Sequence, residues 1–416
     1  MPVFRNFVAC ATLALVASNG AAQPLSLEDA LRVGEAQSPR LAAQRHSVDA
    51  AAQQVGRAAE LPDPKLRLGI ENLPVTGADR FRYDRDFMTA RAVGLVQEFP
   101  NSAKREARNV RAERVRNVEG ANLAARRTLL HRDIAAAWLE VHYAEAARAA
   151  LERFARQFQL QLDAVAAGIA RGRQTAAEGL ALRQTFEQAN DRIIEQDRAV
   201  AKARITLAAW VGEEAGRALA APPDLARFAH PREHLVARLA EHPELRVFDE
   251  KTALARAEVD LAKSAKKPDW MLEVGYGYRQ PNFDNMLTVM VGFDLPWRAE
   301  RRQDRDVSSR LAEVEQARAM QEDARRMHEA EVRGWLADFD TAERRIERFE
   351  RVLLPLARER RGAALAAYQG VRGELGGVLE AERAVTETEL ALVQALAERA
   401  RTWANLNYLY PQGNAQ

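Results

Sequence analysis

The side chains most capable of chemistry in this sequence are its seven histidines, which are scattered along the chain. His230 and His234 are four residues apart, a spacing that would place both imidazoles on one face of a helix, but Pro231 lies between them. His242 directly precedes Pro243 and is expected in the turn that starts a helix. Zinc-protease helices, phosphate-binding loops and serine elbows have characteristic motifs, and none occurs here. The sequence therefore predicts a protein that is not an enzyme and that needs no metal ion or cofactor.

The balance of charges argues against a second class of function. The chain carries 61 basic and 59 acidic residues, whereas a nucleic-acid-binding protein usually concentrates basic charge on one surface. Glutamate precedes arginine by four residues at Glu152 and Arg156, and again at Glu347 and Arg351, which is the order that stabilises a helix. We expect solvated helix faces with ion pairs and no nucleic-acid partner.

Residues 1–22 have the pattern of an export signal peptide. Arg5 supplies the positive charge, an apolar segment follows, and Gly20 to Ala22 form a small-residue cleavage site. The apolar segment is shorter than the ~20 residues that a transmembrane helix needs, and no longer apolar run follows it. Cys10 is the only cysteine. A lipoprotein signal at this cysteine is the alternative; otherwise the mature chain has no thiol and no disulfide or cysteine metal site.

The elements that must position any functional residue occur twice, 204 residues apart. Pro39 and Pro243 each open a helical run, and the runs end at Pro64 and Pro268. Alternating residues, a second β-type segment and a long charged, alanine-rich run follow in both places. Solenoid repeats recur every ~20–50 residues, so this period indicates a duplicated domain.

Each copy contains a long helical arm. Between Pro100 and Pro222 the sequence has no proline and is dominated by strong helix formers. An arm over roughly residues 103–167 would be about 100 Å long at ~1.5 Å per residue. Such an arm must pack lengthwise against similar helices, because it cannot fold around a compact core.

The second arm runs from about residue 302 to 367, and Pro355 inside it should kink the helix. The predicted organisation is a signal peptide (1–22), a first repeat (23–221, with a β-hairpin at 65–99 and a helical tip near 168–173), a connector (222–241), a second repeat (242–410, with a β-hairpin at 269–296 and a tip near 370–377) and a tail (411–416).

Alternation with a period of two marks the β segments. From Trp270 to Tyr278 and from Met286 to Leu295 one set of side chains is apolar and the other is small or polar. Each segment has about the 9–11 residues of a tilted transmembrane strand, and aromatic residues near the strand ends suit bilayer interfaces. The alternative is a hairpin that covers a soluble core. The residues predicted to face lipid are Trp270, Leu272, Val274, Tyr276, Leu287, Val289, Val291 and Phe293.

The first copy alternates less regularly. Leu66, Leu68 and Ile70 form its apolar set, while Arg67, Glu71 and Arg91 are expected on a wet face.

Four strands cannot close a barrel, and their free edges would leave backbone polar groups unpaired in lipid. Two chains would supply eight strands, a barrel filled by its own side chains, whereas three would supply twelve and leave an open lumen. If the strands lie in a membrane, we therefore expect a trimer.

Several motifs together resemble the TolC-like outer-membrane efflux family, over about Leu25 to Pro411. The sharpest is the run AYQGVRGELGGVLEA at 367–381. Gln97 to Pro100 followed by Lys104-Arg105, and Asp294 to Pro296 followed by Arg302-Gln303, also match. The sequence departs from the family at Val371, where a glycine is usual, at Gly377, where an acidic residue is usual, and in lacking an acylated cysteine at the mature N-terminus.

The resemblance implies a mainly α protein with a small β part: a duplicated TolC-like chain with a long α-helical coiled-coil barrel. Its four strands would contribute to a 12-stranded outer-membrane β-barrel in a homotrimer, with a long periplasmic extension. The implied partners are outer-membrane lipid, a periplasmic adaptor (membrane fusion) protein and an inner-membrane transporter of the resistance-nodulation-division type.

The implied function is a passive exit duct of a tripartite efflux system. Arg302-Gln303 and the second tip look most like the heavy-metal members, of the cobalt–zinc–cadmium or copper–silver kind. The alternatives are a type I secretion duct, a multidrug or organic-solvent duct, and, from a different class, a periplasmic coiled-coil structural protein.

The resemblance also assigns residues at the two tips. Acidic residues just past the tip turns line the periplasmic aperture in the family, and that role falls on Glu178 and Glu380. Rings of carboxylates would favour cations. Arg173 and Arg372 would pair with them or face the adaptor; the alternative is that all four are solvated helix residues. Glycines that turn the chain and permit close helix approach are Gly168, Gly172, Gly370 and Gly373.

Overall fold

Long antiparallel helices and one small sheet make up the part of the chain that the structure, a computed structural model, describes: residues 23–171, 174–370 and 372–411. The predicted signal peptide at 1–22 and residues 412–416 of the predicted tail lie outside this part. The helices are α1 (Leu27–Gln37), α2 (Pro39–Ala58), α3 (Ser102–Ala170), α4 (Ala176–Val211), α5 (Arg232–Ala237), α6 (Pro243–Ser264), α7 (Gln303–Arg348), α8 (Leu354–Gln369) and α9 (Leu375–Asn407). The strands are β1 (Lys65–Glu71), β2 (Ala90–Phe99), β3 (Trp270–Tyr278) and β4 (Met286–Phe293).

The order of elements repeats as the proline spacing predicts. A helix that begins with proline (α2 or α6) leads into two strands, which are followed by a long arm and a returning helix. Proline suits this first helical position because its missing N–H would have no partner there. The predicted connector contains α5 and a short 3₁₀ turn at Leu239–Glu241.

The two arms differ in continuity. Helix α3 is unbroken over 69 residues, which corresponds to a length of about 100 Å. The second arm is interrupted by a π-helical turn at Phe349–Leu353, directly before Pro355 at the start of α8. Proline cannot donate a backbone hydrogen bond and its ring crowds the preceding turn, so the wider π turn accommodates it. None of the helices in the described ranges is long and apolar enough to cross a membrane.

The two hairpins form one antiparallel sheet in the order β1-β2-β3-β4. Strand β2 of the first repeat pairs with β3 of the second, so that Leu95 lies opposite Val274 and Val93 opposite Tyr276. β1 and β4 are the edges of this sheet. The sequence predicts both hairpins but contains no local signal for their pairing, because the two central strands are far apart along the chain.

Two apolar clusters hold the helices together. The larger one surrounds Trp138, whose indole N–H donates to the Leu25 carbonyl oxygen at 3.1 Å, and it joins α1, α3, α4, α7, α9 and the connector. The smaller one lies near the helical tips and joins α3, α4 and α9 around Phe158 and Leu182. The second cluster is distant from the first, so the helices near the tips pack around an apolar core of their own.

Candidate functional site

The sheet has one apolar face, which we call the outer face. The eight residues predicted to face lipid all lie on it, as directly opposed pairs such as Leu272 with Val291 and Val274 with Val289. The first repeat continues this face with Leu66, Leu68 and Ile70 on β1 and with Val93 and Leu95 on β2. Leu68 is 74% exposed and Leu287 is 71% exposed in the single chain. An apolar area of this extent marks a surface that contacts a membrane or another protein.

Aromatic side chains lie at both ends of the outer face. Phe99 and Trp270 stack with ring centroids 4.1 Å apart at the end nearest the helices, and Tyr276 and Tyr278 lie towards the loops. Rings with a polar atom at both borders of an apolar band are typical of bilayer interfaces.

One prediction about the first hairpin is wrong. Arg91 was expected on a wet face, but it lies opposite Ile70 and Tyr278 and is therefore on the outer face. Its guanidinium lies 4.8 Å from the ring centroid of Tyr83 in the β1–β2 loop. Arg91 is near the loop end of the strand, where a long side chain can reach a polar region while its stem stays on the apolar face.

The opposite face, which we call the inner face, carries charged and small residues together with Val96, Met271, Met286 and Met290. Arg67 and Glu71 lie on it as expected. Arg67 Nη1 lies 2.6 Å from Glu273 Oε1, and the Glu273 residue is only 8% exposed. Much of the remaining inner face consists of glycine and alanine: Gly69, Ala90, Ala92, Gly94, Gly275, Gly277 and Gly292.

At the first helical tip, Glu178 has a local structural role. Its carboxylate accepts hydrogen bonds from the Thr175 backbone N–H at 2.8 Å and from the Thr175 hydroxyl at 3.0 Å, while its own N–H donates to that hydroxyl. This reciprocal arrangement is a capping box that starts α4. The carboxylate is half-exposed, so capping and an aperture role are compatible. Gly172 and Arg173, predicted at this tip, lie outside the described residues.

At the second tip, Glu380 is exposed on α9 and pairs with Arg360 of α8 at 2.6 Å. Arg372 lies in the turn, where its backbone N–H donates to the Ala367 carbonyl oxygen at 2.9 Å. This turn therefore does not bring Glu380 to Arg372 as an ion pair. Glu380 pairs with an arginine of the helix that precedes the tip, and not with the predicted Arg372.

The tip glycines serve close packing. Gly168 lies in the last turn of α3, and a Cβ there would come within 2.1 Å of the Gln174 side chain. A Cβ at Gly373 would lie 3.1 Å from that of Ala367. Gly370 has a φ of −81°, which any residue adopts. Small size, and not left-handed backbone, is therefore what Gly373 contributes, whereas the flexible Gln174 side chain could move away from a Cβ at position 168.

Polar contacts that the sequence analysis missed connect the two tips. Gln174 Nε2 donates to the Tyr368 hydroxyl at 2.5 Å, and Arg383 of α9 donates to Thr185 Oγ1 of α4 at 2.7 Å. Glu382 is buried, and this burial raises its pKa although Arg361 opposes the effect. The helical spacing of Val378, Leu379, Glu382, Val385 and Thr386 on α9 was the available signal that this glutamate faces inward.

A second missed cluster lies at the start of α6. His242 Nδ1 and His328 Nε2 of α7 are 2.5 Å apart, and the His242 ring packs edge-on against Tyr410. Burial and the neighbouring His328 lower the pKa of His242 to about 4. Among the described residues, no group of three or more His, Cys, Asp or Glu is arranged to hold a metal ion. The two imidazoles form a buried contact between the start of α6 and α7.

Comparison with known proteins places this geometry in context. Residues 32–213 match the family described as "Outer membrane efflux protein". No curated protein is significantly similar in sequence.

Solved structures match over nearly the whole chain. CusC is 16% identical, with 92% of each chain covered and a TM-score of 0.77. A membrane protein from Pseudomonas aeruginosa is 17% identical, with 92% of each chain covered and a TM-score of 0.78. The outer membrane protein VceC from Vibrio cholerae is 17% identical, with 92% of this chain and 95% of VceC covered and a TM-score of 0.74. At these identities the likeness shows the fold, and it confirms the predicted TolC-like class, mainly α with a small antiparallel sheet.

Proposed function

We propose that this chain, a member of the outer membrane efflux protein family over residues 32–213, is the exit duct of a tripartite efflux system. The family's location in the outer membrane, with long helices extending into the periplasm, agrees with the expectation from the sequence. In this function three copies surround one continuous channel, and cargo passes through it without chemical change.

The sheet is the observation that carries the proposal. Its outer face exposes leucine, valine and aromatic side chains, and its edge strands β1 and β4 have backbone groups available for pairing. Such edges are not tolerated in lipid, because each unpaired backbone group there costs several kcal/mol. Pairing β4 of one copy with β1 of the next removes every edge when three copies close a 12-stranded barrel.

The helical arms supply the periplasmic part of the duct. Helix α3 is about 100 Å long, which is a suitable length for crossing an aqueous gap. Its surface carries ion pairs with neighbouring helices, such as Arg204 of α4 with Glu145 of α3. The tips would then meet a periplasmic adaptor protein, which delivers cargo from an inner-membrane transporter of the resistance-nodulation-division type.

We propose heavy-metal cations as the cargo. The support is the resemblance of Arg302-Gln303 and of the second tip to the heavy-metal members, together with the carboxylates Glu178 and Glu380 near the tips. The test is to delete the gene and measure growth inhibition by cobalt, zinc, cadmium, copper and silver salts. Sensitivity to organic solvents or drugs alone would assign the duct to multidrug efflux, and loss of an exported protein would assign it to type I secretion.

The duct itself is tested with the purified protein. Extracted in detergent, it should migrate as a heat-modifiable trimer and form stable conducting channels in planar lipid bilayers. A particle with the mass of one chain that is soluble without detergent and does not conduct would favour the periplasmic structural protein.

A further inference from the structure

A charged pair stands in the middle of the inner face of the sheet. Arg67 of β1 lies directly opposite Gly94 of β2, and Glu273 of β3 lies opposite Val96, the second residue further along β2. The Arg67 and Glu273 side chains therefore meet diagonally across β2, with Nη1 and Oε1 2.6 Å apart. The pair joins strands of both repeats.

The absence of a side chain at Gly94 leaves room for this contact. A Cβ built on Gly94 would lie 3.5 Å from Glu273 Oε1, so a longer side chain would occupy the space of the carboxylate. Gly275 of β3 lies directly opposite Gly94 and continues the low surface. Glycine weakens a strand, and it often marks a position where another group approaches the backbone closely. The charged pair is such a group for these glycines.

We propose that Arg67 and Glu273 set the ion selectivity of the β-barrel by cancelling each other's charge at mid-height of its lumen. This inference rests on the proposed function, because it requires that the inner face line an aqueous channel. Arg67 is 60% exposed and Glu273 is 11% exposed at the side chain, so the guanidinium covers the carboxylate on the side that faces the lumen.

The other charges of the inner face lie near its two borders. Lys65 pairs with Glu98 at the end nearest the helices, and Glu71 lies at the loop end of β1. The four strands thus place two basic and three acidic side chains on this face. A cation in the lumen meets a weakly acidic wall in which the central pair contributes little net field. Removal of one member of the pair leaves the other as an uncompensated charge beside Gly94 and Gly275.

Single substitutions at the pair should change selectivity in opposite directions. E273Q leaves Arg67 uncompensated and should shift the permeability ratio towards anions, whereas R67Q leaves Glu273 uncompensated and should shift it towards cations. For a unit charge about 6 Å from the path of the ion, we expect the permeability ratio to change about threefold at low salt. The change is no larger because water and counterions screen the charge. The double variant R67Q/E273Q should return to the wild-type ratio. The readout is the reversal potential of single channels in a potassium chloride gradient.

E71Q is the matched control, since it removes the same charge from the same face at its border, and it should shift the ratio less than E273Q. If E273Q does not assemble, R67Q carries the test alone, because Arg67 is an exposed residue of an edge strand. Conducting R67Q channels with the wild-type reversal potential would overturn the inference and leave the duct intact. A wild-type protein that does not conduct would instead overturn the proposed function.

Discussion

At the scale of single residues, both carboxylates predicted at the aperture also make contacts that stabilise the local structure. Glu178 was predicted as an aperture carboxylate because of its place after the tip, and the structure shows that it also caps α4. Glu380 is paired with Arg360. The spacing of Thr175 and Glu178 is the sequence signature of a capping box, whereas the ion pair of Glu380 depends on how α8 and α9 align.

The aperture assignment predicts that neutral variants at both tips change the response to cations. Glutamine is the appropriate replacement at Glu178, because it preserves the capping box while alanine would also lose the cap, at about 1 kcal/mol. We expect E178Q/E380Q to weaken block of the channel by divalent cations in planar bilayers. Glu195 is exposed on α4 well above the tip, so E195Q is the control and should leave block unchanged. Equal block in all three proteins would refute the assignment.

The His242–His328 contact predicts a loss of stability in mild acid. The pKa of His242 is lowered from 6.5 to about 4, so the unfolded chain binds more protons between these values. The free energy of unfolding should be fully retained above pH 6.5 and should fall as the pH approaches 4, by up to about 3 kcal/mol per chain. The groups that face His242 are His328, Tyr410 and, through His328, Glu331.

The measurement is the difference in melting temperature between pH 7.5 and pH 5 in detergent. H242N retains a polar atom near the position of Nδ1 but cannot be protonated, so the difference should shrink. H46N is the control, because the His46 side chain is 83% exposed, and it should behave as the wild type. An unchanged pH response in H242N would show that other groups control acid stability.

At the scale of elements, the contacts between the sheet and the helices give a physical reason for one of the family-like motifs. The match around Gln97 to Lys104 was recognised only by resemblance. In the structure Asn101 caps α3 by accepting from the Lys104 N–H at 2.8 Å, and its own N–H and Nδ2 each donate to Asp269 Oδ1 at 2.8 Å. Lys104 Nζ also donates to Asp269, at 2.5 Å. The Asn101–Lys104–Asp269 junction therefore joins the first repeat to the start of β3 in the second.

We expect N101A to destabilise the protein by about 1–2 kcal/mol, since it removes a helix cap and leaves a partly buried carboxylate with fewer donors. S102A is the matched control, because Ser102 is the exposed neighbouring residue at the first position of α3. The measurement is the midpoint temperature at which the detergent-extracted assembly dissociates. Equal midpoints for the two variants would show that the Asn101 cap does not stabilise this junction.

Much of the element order was predictable because proline spacing and period-two alternation are local signals. The helix starts at Pro39 and Pro243 and the strands near residues 270 and 286 follow from them directly. The π turn before Pro355, the pairing of β2 with β3 and the face of Arg91 were not predictable in this way. Each depends on a neighbour that is distant in sequence or on how the backbone relieves a local clash.

At the scale of the whole molecule, one chain leaves its outer face and two sheet edges for other molecules to cover. The family model that matches residues 32–213 describes outer membrane proteins, which agrees with the predicted location. The helices have apolar clusters of their own, whereas the outer face of the sheet is exposed in the single chain.

Single cysteines should report which face meets lipid. L272C and V289C lie on the outer face and should be protected from water-soluble thiol reagents in intact envelopes. Thr288 is adjacent to Val289 but on the inner face, so T288C should be labelled in the open lumen. The only natural cysteine, Cys10, lies in the predicted signal peptide and should give no background in the mature chain. Equal labelling at positions 288 and 289 would contradict the barrel.

The unbroken length of α3 has a mechanical consequence. A rigid rod of about 100 Å turns a tilt of one degree at its base into a displacement of roughly 2 Å at its far end. The base of this rod is held by hydrogen bonds at Asn101 and by packing against α2 and α6. The position of the far end of α3 therefore depends strongly on the small range of tilt that the packing at its base allows.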